Sequence, residues 1–108
     1  MRRFSYFSAP GVFQKDIIDV VCEYFCIERN LLLSKNRKRE VSEARQIGMY
    51  ILRQQNKTLS SVGKQFNRDH ATVLHAINLV EDLMSVDARF KQIVESLESL
   101  YRLQCQIN

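Results

Sequence analysis

Four adjacent residues, Asp69-His70-Ala71-Thr72, set a carboxylate, an imidazole, a methyl and a hydroxyl side by side. Asp is a preferred helix N-cap residue, and Val73, Ile77, Val80 and Met84 follow at helical spacing. The four therefore open a helix, expected from about His70 to Met84, whose far side is buried. Just upstream, Leu59 to Phe66 reads as a short helix. Asn67 supplies the turn between the two, because Asn tolerates a left-handed backbone. Two short helices joined by a tight polar turn make a helix-turn-helix, and the start of its second helix meets base edges in the major groove. The chemistry fits that placement. Asp69 can accept from a cytosine or adenine amino group, His70 can donate or touch a thymine methyl, and Ala71 offers an apolar contact to the same methyl. Thr72 and His75 are expected to meet phosphate.

A second group, Lys35, Arg37, Lys38 and Arg39, concentrates positive charge ahead of this unit. Such a run is ordinarily a solvated loop; here it lies between two helices. The first of these is expected from about Gln14 to Phe25, with Ile17, Ile18, Val21, Cys22 and Phe25 on one apolar face. Asn30 to Ser34 reads as a short connection anchored by Leu31, Leu32 and Leu33. The second long helix is expected from about Val41 to Gln55, with Ala44, Ile47, Gly48, Ile51 and Leu52 toward the core and Arg45, Met49 and Arg53 along another edge. Gly48 within it costs about 1 kcal/mol against Ala, which a close helix contact would explain. Asn56-Lys57 ends this helix and Thr58 can cap the next. After the break at Ser85-Val86-Asp87, Asp87 caps a last helix from about Ala88 to Leu103 that buries Phe90, Ile93, Val94, Leu97 and Tyr101.

The run Arg68-Asp69-His70-x-Thr72-Val73-Leu74-His75-Ala76 resembles the signature of the DNA-binding domain of the bacterial chromosomal replication initiator DnaA. The resemblance extends from about Ile17 to Leu103 through Leu32-Leu33-Ser34-Lys35, the basic cluster, Ala44-Arg45-Gln46 and Leu59-x-x-Val62-Gly63, all in order. It implies an all-α, Trp-repressor-like helix-turn-helix domain over residues 14–108, behind an N-terminal arm at residues 1–13. It also implies binding to double-stranded DNA at a DnaA-box-like, A·T-rich site, in replication initiation or its regulation. By resemblance Arg37 enters the minor groove, which suits arginine where A·T pairs narrow the groove, while Lys35, Lys38 and Arg39 hold nearby phosphates. Arg45, Gln46 and Arg53 match family phosphate contacts. Ser60 stands where Pro is common, and either approaches a base or caps its helix. Three departures bear on affinity and site choice: Asn36 and Glu43 replace residues that are often basic, and Ala71 replaces Thr or Ser.

Composition sets outer bounds. The chain has 108 residues, 45% hydrophobic and 26% charged, with three Gly and one Pro, which favours a single helical domain. Its net charge of +4 suits an acidic partner. Glu81, Asp82, Asp87, Glu95 and Glu98 collect toward the C-terminus, away from the basic cluster. Cys22, Cys26 and Cys105 form no disulfide framework, and Cys22 and Cys26 read as small core residues in a reducing, cytoplasmic compartment. No third ligand accompanies them or the histidines, so no metal is expected. The start lacks the apolar length of a signal peptide. No Gly-x-x-x-x-Gly-Lys-Ser/Thr loop, Gly-x-Ser-x-Gly or Cys-x-x-Cys occurs, so neither enzyme activity nor a cofactor is expected. Full initiators carry an ATPase module that this chain does not match, which leaves a free-standing factor or a fragment. Phe4, Tyr6, Phe7 and Phe13 give the arm aromatic surface for the domain or for a protein partner. Two other functions fit the same residues: a transcriptional or mobile-element regulator of the same fold reading another site, and a helical protein-interaction module that has lost DNA binding.

Overall fold

The computed structural model describes residues 15–107, with side chains described through residue 104. The aromatic arm at 1–13 lies outside the described residues. Six helices follow in order: α1 Ile17–Phe25, α2 Arg29–Leu33, α3 Arg39–Gln54, α4 Leu59–Phe66, α5 His70–Val86 and α6 Ala88–Ile107. There is no strand among the described residues.

Local chemistry sets the boundaries. Asp16 caps α1, its carboxylate accepting from the Asp19 N–H at 2.9 Å, so the helix begins later than the periodicity alone suggests. Thr58 caps α4 by accepting from the Ser61 N–H at 3.0 Å. Asp87 caps α6, accepting from the N–H groups of Arg89 and Phe90 at 3.0 and 3.1 Å. Cys26, Asn56 and Asn67 take left-handed φ of 58, 68 and 57° at helix ends. Asparagine adopts that conformation readily; Cys26 does so as the exposed C-cap of α1. Cys26 is therefore not the core residue its type suggested, and Cys22 is half-buried.

α3 is the centre of the fold and touches all five other helices. Its Ala44, Ile47, Ile51 and Leu52 are almost wholly buried, together with Ile17, Ile18, Val20 and Val21 of α1, Val62 and Phe66 of α4, Val73, Ala76, Ile77 and Val80 of α5, and Val94 and Leu97 of α6. Side chains of this size contribute about 1.5–3 kcal/mol each when fully buried. Gly48 is the contact that lets α3 approach α4: a Cβ there would stand 2.7 Å from Phe66 Cζ and 3.4 Å from Val21 Cγ2. The expected close helix contact is thus supplied by a fully buried phenylalanine ring.

Two readings of this region need correction. The Asn30–Ser34 connection is a helical turn, α2, and it buries only Leu32; Leu31 is 38% exposed and Leu33 intermediate. A five-residue helix can turn only one of three successive leucines fully inward. On α3, Arg45 and Met49 do not form an outer edge with Arg53. They are 7% and 1% exposed, on one buried face with Val41 and Leu52, while Arg53 is exposed.

Candidate nucleic-acid interface

The helix-turn-helix is α4, the turn Asn67–Asp69, and α5. The turn is closed by Asn67 in the left-handed region and by a hydrogen bond from the Arg68 N–H to the Gly63 carbonyl at 2.9 Å. Gly63 lies directly beneath it, where a Cβ would come within 2.5 Å of the Arg68 carbonyl oxygen. Any side chain at 63 would wedge the unit open. Asp69 then caps α5, accepting from the Thr72 N–H at 2.8 Å. Hydrogen bonding from Thr72 holds the Asp69 carboxyl below its ordinary pKa, so it is an acceptor at neutral pH.

His70, Ala71, Thr72 and His75 are all exposed, while Val73, Ala76 and Ile77 beside them are buried. The helix thus divides cleanly into a packed side and a bare side. Leu74, 48% exposed, joins the bare side one turn beyond His70 and Ala71. Ser60 and Lys64 of α4, with Asn67, Arg68, Asp69 and His70, line an open polar concavity of about 520 Å³. Ser60 is exposed on its rim; the cap of α4 belongs to Thr58, which leaves the Ser60 hydroxyl outside the capping interaction.

The basic segment is an ordered turn rather than a loose loop. The Ser34 hydroxyl donates to the Leu31 carbonyl at 2.6 Å and accepts from the Asn36 N–H at 3.1 Å. Asn36 Oδ1 in turn accepts from the Lys38 N–H at 2.8 Å. The Asn36 side chain therefore shapes the turn. Lys35, Arg37, Lys38 and Arg39 all point charge into solvent. Arg39 Nε pairs with Glu43 Oε2 at 3.2 Å, so the carboxylate that would repel phosphate is partly neutralised and one cation partly engaged.

Arg45 differs most from its expected role as a phosphate contact. Its Nε donates to the Leu32 carbonyl at 2.7 Å, and its Nη2 to the carbonyls of Ser34 at 2.9 Å and Asn36 at 3.2 Å. Burial, and secondarily the neighbouring Arg68 charge, lower its pKa. Arg45 thus shapes the basic segment from beneath. Gln46 is half-buried. Arg53 is exposed, with its Nη1 donating to the Lys57 carbonyl at 2.8 Å beside the start of α4.

Residues 14–80, which include all of α1 to α4 and most of α5, match the family described as the bacterial dnaA protein helix-turn-helix. The chain belongs to the bacterial DnaA helix-turn-helix family. It is 44% identical over 89 residues to the chromosomal replication initiator protein DnaA of Bacteroides thetaiotaomicron, covering 81% of this chain and 19% of that protein. To the DnaA of Flavobacterium psychrophilum it is 42% identical over 80 residues, covering 72% and 17%. A crystal structure described as a DNA replication initiation factor superposes with a TM-score of 0.72 at 36% identity, over 79% of this chain and 26% of the other. The chain therefore spans about a fifth of the length of the DnaA relatives it matches.

Within this DnaA-type fold, the structure brings Asp69, His70, Ala71, Thr72 and His75 onto the open side of α5 and sets Ser60 near them. It joins the basic segment to the same unit through Arg68, whose Nη2 donates to the Ser34 carbonyl. Arg68 belongs to the sequence motif that opens α5, but the motif assigns it no such role. No local pattern marks that role, because its partner lies 34 residues away. For Arg45 a signal did exist: Val41, Arg45, Met49 and Leu52 share one helix face.

Proposed function

We propose that this chain binds double-stranded DNA with sequence preference, as a DnaA-type helix-turn-helix acting in replication initiation or its regulation. The observation that carries the reading is the bare, capped start of α5 tied through Arg68 to an exposed four-cation segment. A protein built this way meets one groove with Asp69, His70 and Ala71 and the neighbouring groove with Arg37. Lys35, Lys38, Arg39, Arg53, Thr72 and His75 lie against the sugar-phosphate backbone, where contacts fix register but carry no base information. Gln46, half-buried on α3, completes the phosphate-contact set with its exposed part. The chain is a binding module rather than an enzyme, and it needs no nucleotide or metal to bind. It works at the nucleoid; among the described residues no helix is long and apolar enough to cross a membrane.

Ala71 favours a site related to the DnaA box but with its own preference at one position, since Ala reads a base edge only through its methyl, while the Arg39–Glu43 pair bears on backbone affinity alone. Selection from a randomised duplex pool with the purified chain tests this. Enrichment of an A·T-rich motif related to the DnaA box is the expected result. Enrichment of an unrelated motif would move the chain to another regulatory role on the same fold, and no enrichment would end the DNA-binding reading.

A further inference from the structure

Two arginines meet beneath the basic segment without any carboxylate between them. Arg45 rises from α3 and Arg68 from the helix-turn-helix turn, and both donate to the same atom, the Ser34 carbonyl oxygen. That oxygen has two lone pairs and takes one guanidinium on each. Other donors of the two groups are used in the same manner. Arg45 holds the carbonyls of Leu32 and Asn36 at 2.7 and 3.2 Å, and Arg68 Nη1 holds those of Phe66 and Asn67 at 3.2 and 3.1 Å. Every partner is a backbone oxygen. Among the described residues, neither guanidinium forms a salt bridge.

Two like charges this close repel, and burial makes the repulsion stronger. A carboxylate placed between them would have relieved it. Backbone carbonyls instead give direction without neutralising charge, so the positive field of both arginines remains available to the surface above. The planar, forked guanidinium is suited to this use, because it can grip several oxygens at fixed angles; an ammonium cannot.

The consequence is geometric. Arg68 immediately precedes Asp69, the cap of α5, and grips Ser34, which lies three residues before Arg37. Three residues span at most about 11 Å. Arg68 is therefore a direct side-chain link between the start of α5 and the segment that carries Arg37, beside the longer route through Arg45 and α3.

On the DNA-binding function proposed above, we infer that Arg68 is a positioning residue that couples the two groove readers. It locks the basic segment onto the helix-turn-helix turn, so that Arg37 and the start of α5 address DNA as one rigid unit. Arg45 supports the same carbonyl from the α3 side. Preference at the A·T-rich flank read by Arg37 then depends on Arg68, although Arg68 reads no base there.

The test uses the full chain and three duplexes: the selected site, the same site with its A·T flank changed to G·C, and the same site with its major-groove core changed. Arg68→Met, which keeps an unbranched stem and loses the guanidinium, is compared with the parent, with Arg37→Ala and with the double variant. The expected result is loss of flank discrimination in Arg68→Met by about tenfold, within the worth of one good contact, with core discrimination retained. The double variant should lose no more flank discrimination than either single one. Arg68→Lys covers the case in which the Met variant does not fold. It keeps the charge and is expected to hold its affinity for the core-changed duplex while losing flank discrimination, because one ammonium cannot bridge the turn and Ser34 together.

Equal weakening on all three duplexes, with the Arg37→Ala effect undiminished in the Arg68 background, would mean that Arg68 is itself a phosphate contact, and the coupling role would be wrong. Full flank discrimination in Arg68→Lys would overturn it equally. A parent chain that binds no duplex overturns the DNA-binding function and this inference with it, whereas a parent that discriminates beside variants that do so equally well overturns the inference alone.

Discussion

Replacing Gly63 with alanine drives a methyl group into the turn that aims the recognition helix. The ideal Cβ would stand 2.5 Å from the Arg68 carbonyl oxygen, closer than the 3.0 Å that real Cβ atoms respect. The obstacle is backbone, which cannot swing aside as a side-chain tip can. The turn must open by about half an ångström, and such forced shifts cost about 1–3 kcal/mol. The 2.9 Å bond from the Arg68 N–H to the Gly63 carbonyl lengthens with it, a further loss of about 0.5–1.5 kcal/mol. Alanine in a helix interior returns about 1 kcal/mol over glycine. The net expectation for Gly63→Ala is a destabilisation of about 2 kcal/mol. The functional cost is separate, because Asp69 and His70 follow the displaced carbonyl. Misplacing one good base contact is worth about 1–3 kcal/mol, a loss of affinity of about 5- to 150-fold. Urea unfolding followed by circular dichroism measures the first, and fluorescence anisotropy on the same preparation measures the second at a concentration where the variant is folded. An unchanged or raised unfolding midpoint together with parental affinity would refute the reasoning, since the turn would then have room that this geometry denies.

Other outcomes follow from the same surface. Arg37→Ala should weaken binding and relax preference at the A·T flank, whereas Arg53→Ala should weaken matched and scrambled duplexes alike; competition assays separate the two, and equal ratios for both variants would remove the minor-groove role of Arg37. Ala71→Thr should change stability by no more than about 0.5 kcal/mol at its exposed position. It should raise affinity for a DnaA-box duplex by up to about 1–3 kcal/mol, and no change on any duplex would show that residue 71 does not face DNA. The Asp69 cap should survive into acid. Its carboxyl titrates below the ordinary value of 3.8 because Thr72 hydrogen-bonds the charged form, so its stabilising contribution is complete above the unfolded pKa and is lost as pH falls through the lowered folded one. A Thr72 amide titration by NMR with a midpoint above 3.8 would contradict this.

The long elements could be read from residues because local and tertiary preferences agree in them. α4 runs from Leu59 to Phe66 as its pattern indicates, and Asp69, Thr58 and Asp87 cap the helices that their residue types suggest. Agreement failed where a side chain's fate is decided by a distant partner. Arg45 reads as a surface cation until the Leu32, Ser34 and Asn36 carbonyls are brought over it by the fold. Arg68 reads as part of a motif until Ser34 arrives beside it. Three successive leucines give no clue that Leu32 alone is fully buried, since a single helical turn has too few residues to show a period. The exposed contact candidates were easier to read, because Asp69 to Thr72 owe their position to the cap and to the buried Val73 that follows, both local features. Cys26 shows the converse: a residue type that favours burial stands exposed because the end of α1 needs a left-handed residue there.

The most direct measurement is a titration of the purified chain, without nucleotide, against labelled duplexes carrying a DnaA box or a scrambled sequence, at several salt concentrations. Saturable binding that favours the box is expected. Log affinity should fall with log salt at a slope of about −4 to −5, as contact with about five phosphates requires. Absence of binding to either duplex at the lowest salt would contradict a DNA-binding function for this chain.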